Sequence, residues 1–119
     1  RERADTDGAL VDLDKALRIT PRDTDAFIAR AMLYLAQEHY EQALLDFKSA
    51  NNLRPGDLAI LACLAVVDHA LGQMKEADRL WGLLIRLDEN YKDALWVQRQ
   101  FKWKDQVTEE AKKLIERLV

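Results

Sequence analysis

The longest apolar run in the chain is LAILACLAVVDHALG, residues 58–72, where ten residues pass before the first polar side chain at Asp68. A surface helix normally pairs an apolar stripe with a polar back. This run has almost no polar back, so it predicts a helix covered from several sides. A membrane span would need about 20 apolar residues, and Asp68 and His69 interrupt the run well before that. Elsewhere the stripe is of the ordinary kind. Phe27, Ala31 and Tyr34 share one face of a helix, and Ala43, Leu44, Phe47 and Ala50 share one face of the next. The pattern predicts seven helices and no strand, at 5–19, 24–37, 40–53, 58–71, 73–87, 91–103 and 108–118. The punctuation agrees with these spans. Pro55-Gly56 stops one helix, Asp57 can cap the next, and Gly72 turns the chain. Thr108 is the expected cap of the last helix, with Glu109 and Glu110 favourable at its positive end.

The two prolines lie in similar phrases, ALRITPRD and ANNLRPGD, and Pro21 and Pro55 are 34 positions apart. A shift of 34 aligns Ala9, Ala43, Ala77 and Ala111. It also aligns Leu13, Phe47, Trp81 and Ile115, and then Ala16, Ala50, Leu84 and Leu118. The column of Leu10, Leu44 and Asp78 breaks once. A fixed period with preserved size classes marks a stacked repeat, in which each unit buries its neighbour's apolar face.

The second unit, TDAFIARAMLYLAQEHYEQALLDFKSANNLRPGD, resembles the tetratricopeptide repeat through Phe27, Ala31, Tyr34, Ala43, Phe47, Ala50 and Pro55. The third unit keeps Leu61, Leu64, Ala65, Gly72, Ala77 and Trp81, and departs at Asp68 and Glu89. The fourth keeps Leu95 and Ala111 but has Gln98 and Arg99 where Leu and a small residue are usual. The resemblance implies an all-α fold, a right-handed superhelix (α-solenoid) of antiparallel helix pairs with about three and a half units. The expected division is a half repeat over 1–23, repeats over 24–57 and 58–91, and a degenerate capping repeat over 92–119. It also implies a concave groove lined by the first helix of each unit. Placed on that face are Ile28, Met32 and Leu35, then Ala62, Val66 and His69, then Trp96, Gln100 and Trp103. The apolar run is then explained by two packed sides and one groove side, and the groove side should have room for a charge at Met32 or Val66. Some members of the family clamp a terminal carboxylate with Lys, Arg and Asn. Ile28, Met32, Ala62 and Val66 occupy those places here, so no such clamp is expected.

Composition narrows the function further. The net charge of −3 gives no general attraction to nucleic acid or to an anionic membrane. Cys63 is the single cysteine, so no internal disulfide can form, which suits an intracellular, cytoplasmic setting. The chain begins at Arg1 and reads as a fragment. His39 lies at a turn, and His69 follows Asp68 at a helical angle that makes no obvious pair. Cys63 and His69, six residues apart, form no local dyad. No HExxH, CxxC, GxSxG or phosphate-binding glycine loop occurs, so neither catalytic residues nor a metal or other cofactor is expected. WVQRQFKWK, residues 96–104, interleaves aromatic and basic residues, but reads as an amphipathic helix with one buried face rather than as a stacking platform.

The expected function is therefore a protein-interaction scaffold that binds an amphipathic helix or peptide in an apolar groove. An apolar patch on a water-facing surface marks such sites, and Met and Trp are frequent there. The alternative is self-association, as a homodimer, through the groove or through the first helix. No nucleic-acid or membrane partner is expected.

Overall fold

A computed structural model describes residues 2–119, with side chains from residue 5 onward. Seven α-helices and no strand occur among the described residues. They are α1 (Glu2–Ile19), α2 (Thr24–Ala36), α3 (Tyr40–Leu53), α4 (Leu58–Ala70), α5 (Met74–Leu87), α6 (Ala94–Phe101) and α7 (Asp105–Leu118), with a short 3-10 helix at Glu89–Lys92. The chain divides into two compact units, Arg1–Pro55 and Gly56–Val119.

In the N-terminal unit α1 packs on α2, and α2 packs along α3. Asp23 starts α2 by accepting a hydrogen bond from the Ala26 amide at 3.0 Å. The turn into α3 closes with the His39 amide donating to the Tyr34 carbonyl at 2.9 Å. Small residues let the two helices approach, and Ala31, Ala43, Phe47 and Ala50 are fully buried.

In the C-terminal unit the same devices return 34 positions later. Asp57 caps α4 by accepting from the Ala59 and Ile60 amides at 2.9 and 3.2 Å. The Gln73 amide donates to the Asp68 carbonyl at 2.8 Å, matching His39 and Tyr34. Ala77, Trp81 and Leu84 are buried to 0 % exposure, as the aligned columns require. The Trp81 indole donates to the Tyr91 carbonyl at 2.9 Å, which ties α5 to the 3-10 turn.

The end of the chain departs from the expected pattern. The helix expected over 91–103 is split. Asp88 caps the 3-10 turn through the Asn90 amide, and Asp93 caps α6 through the Leu95 and Trp96 amides. Lys102 adopts a left-handed conformation (φ 55°) and ends α6. Helix α7 then begins at Asp105, not at Thr108. Thr108 is 3 % exposed, and its hydroxyl donates back to the Lys104 carbonyl at 3.3 Å, so it lies inside the first turn rather than capping it. The acidic residue favoured by the helix dipole there is Asp105. Helix α7 packs against α4 and α5 as well as α6. Asp78, which breaks its repeat column, accepts a hydrogen bond from Arg117 of α7 at 2.8 Å.

Candidate partner-binding surface

Three of the nine expected groove residues stand on α2, in the N-terminal unit. Ile28 and Met32 are half-buried and share a face with Asp25, Ala29 and Ala36, all three exposed. The spacing i, i+3, i+4, i+7, i+11 makes this one continuous strip. Leu35, the third expected residue, is only 3 % exposed and belongs to the core. At the start of the strip Arg54 donates to Asp25 at 3.0 Å. The far side of α2 carries Ala26 and Ala31 inward.

The corresponding positions on α4 have a different fate. Ala62 and Val66 have no exposed surface, and His69 has 8 %. His69 Nδ1 meets Glu110 Oε2 of α7 at 2.5 Å, so α7 lies along the side of α4 that carries His69. Val66 therefore has no room for a charge, contrary to the sequence-based expectation. His69 is occupied by an intramolecular partner instead of facing a groove.

The last three expected residues also divide. Gln100 is exposed on α6, and Trp96 is half-buried, edge-on to Tyr91 at 5.2 Å. Trp103 is 5 % exposed and packs near Trp81 and Phe101, with ring centroids at 6.3 and 5.6 Å. Burial pushes the Cys63 thiol up to about 12, so it stays protonated at neutral pH. The aromatic rings of residues 96–104 thus pack on one another and on Tyr91, while Arg99, Lys102 and Lys104 face solvent. No group of three or more His, Cys, Asp or Glu that could hold a metal ion occurs among the described residues. Nor is any described helix long and apolar enough to cross a membrane.

One constellation escapes the hydrophobic pattern. Arg30 of α2 donates through Nε and Nη2 to both carboxylate oxygens of Asp46 on α3, each at 2.8 Å. Its Nη1 donates to Asp14 of α1, also at 2.8 Å. The hydrogen bond to Asp46 is the main reason that the guanidinium holds its proton more tightly than usual. A signal for this was present in the repeat alignment: 34 positions on, Arg30 and Asp46 correspond to Leu64 and Leu80. Two charges stand where the C-terminal unit has two leucines at matched sites, which marks a place where the N-terminal unit does something the C-terminal unit does not.

Together these features define an all-α chain of helical hairpins, with an apolar strip open on one helix. No family model matches the chain. It is similar to Superkiller complex protein 3 from mouse and from human, 32 % identical to each over 87 residues, or 73 % of this chain. The chain spans about 6 % of the length of these curated relatives.

Proposed function

We propose that the chain is a non-catalytic interaction module of the tetratricopeptide type, whose partner is another protein. The observation that carries this reading is the α2 strip. Ile28 and Met32 keep apolar surface in contact with water on a helix whose other side is core. Similarity to a protein named as part of a complex supports a role in assembly. A single buried cysteine suits a reducing, intracellular setting.

The strip takes an amphipathic helix or an extended peptide whose apolar residues cover Ile28 and Met32; Trp96 and Gln100 keep surface of their own on the C-terminal unit. Desolvation drives the binding, at roughly 25 cal/mol per Å² before the cost of ordering the partner. Leu35, Ala62, Val66, His69 and Trp103 serve by supporting the fold rather than by touching the partner.

The test is quantitative capture of partners by the wild-type chain and by Met32→Glu, with circular dichroism confirming that both fold. The variant is expected to weaken specific partners by about tenfold or more, which is about 1.4 kcal/mol. Retention of every partner at wild-type strength contradicts the strip as the binding surface. Mass in solution distinguishes the self-association reading: a wild-type dimer that Met32→Glu converts to a monomer makes the partner a second copy.

A further inference from the structure

Arg30 joins three helices, and of its two connections only the one to Asp46 has an apolar counterpart elsewhere in the chain. In the C-terminal unit the matched residues Leu64 and Leu80 are 5 % and 4 % exposed, so the same two positions of a hairpin are filled there by apolar side chains. Charge is therefore not needed to join α2 to α3. A buried ion pair is on average no more stabilising than an apolar pair of similar volume, and its best-attested use is to fix one arrangement among several. The arrangement in question here is that of α1.

Helix α1 is poorly held by apolar burial. Leu17 is its one buried side chain among those described, Leu10 and Leu13 are half-buried, and Val11 is 52 % exposed. It packs on α2 but leaves an open cleft of about 650 Å³ toward α3. Leu17 and Arg18 of α1 line one wall, Leu45 and Ser49 of α3 the other, and Phe27 and Tyr34 of α2 the floor. Arg30 spans this cleft with unequal arms: the Asp46 side chain is 6 % exposed and the Asp14 side chain 44 %.

We propose that Arg30 is a clasp that makes α1 the movable wall of this cleft. The Asp46 arm, removed from water, is permanent and orients the guanidinium. The Asp14 arm, open to water and screened by salt, is the releasable one. Its release frees α1 to swing from α2 while the α2–α3 hairpin stays folded.

Hydrogen exchange followed by mass spectrometry tests this on the whole chain. Asp14→Ala is expected to speed exchange of the α1 amides by roughly three- to tenfold, the range for a partly exposed charged hydrogen bond, and to leave α2 and α3 unchanged. Asp12→Ala is the control. It removes the same charge from an exposed site on the same helix and should leave α1 exchange near wild type. The double variant Arg30→Leu with Asp46→Leu copies Leu64 and Leu80 of the C-terminal unit, and should keep α2–α3 protected while α1 loses protection. The proposal is overturned if Asp14→Ala and Asp12→Ala exchange alike, or if α2 and α3 accelerate as much as α1.

Discussion

Trp81 is the residue on which the C-terminal unit converges. It is fully buried, stands edge-on to Tyr91 at 6.0 Å, lies beside Trp103, and donates its indole hydrogen to a backbone carbonyl. Trp81→Ala is expected to cost about 3–5 kcal/mol, from lost transfer energy and a residual cavity. Denaturant unfolding reads this, and a loss below about 1 kcal/mol would remove Trp81 from the core. Cys63 gives a second prediction at this scale. Its thiol is raised from 9.0 to about 12 by burial, so the folded chain binds that proton more tightly than the unfolded chain. The associated stability is fully present below about pH 9 and is lost as pH rises toward 12. Comparing the wild type with Cys63→Ala over this range isolates that part of the decline. Native Cys63 should also resist alkylation at pH 8 until the chain is unfolded, and rapid labelling of the native chain would contradict its burial.

At the scale of elements, the helix starts and turns follow from local chemistry. Asp23 and Asp57 cap their helices two residues after Pro21 and Pro55. The turns after α2 and α4 both need a left-handed residue, supplied by Glu38 at φ 59° and Gly72 at φ 80°. A Cβ at Gly72 would meet no atom within 4 Å. Gly72→Ala therefore isolates the backbone cost, expected at about 1–2 kcal/mol, and a neutral result in thermal unfolding would show that the turn relaxes. Helices through residue 87 were legible because period, cap and breaker agree there. The stretch from 88 to 105 was not, because its breaks are made by features no period reports. Asp88 and Asp93 cap in close succession, and Lys102 takes a conformation usually given to glycine. The position of α7 depends on His69 meeting Glu110 and Asp78 meeting Arg117, pairs 41 and 39 residues apart that only folding brings together.

At the scale of the molecule, a repeat sequence specifies which residues are equivalent but not which equivalents stay open. Ile28 and Met32 look like Ala62 and Val66 when the units are aligned. Ala62 and Val66 are nevertheless fully buried, and α7 meets α4 through His69 and Glu110, a contact that the α4 sequence does not record. The candidate surface was legible on α2 only as exposure: two of the three expected residues there, Ile28 and Met32, reach solvent. It was not legible on α4, where an apolar sequence is equally suited to a groove and to a core. The Arg30 clasp was visible only as a pair of charges in leucine columns.

The most direct test of this account compares two substitutions at one register position. Met32 is half-buried on the open strip, and Val66, 34 positions on, has no exposed surface. Urea unfolding of Met32→Glu and Val66→Glu, followed by circular dichroism, should separate them sharply. The account predicts a cost under about 1 kcal/mol for Met32→Glu, as for surface sites, and a loss of several kcal/mol or outright unfolding for Val66→Glu, where a carboxylate would be buried without a partner. Equal costs for the two, whether both small or both large, would contradict it.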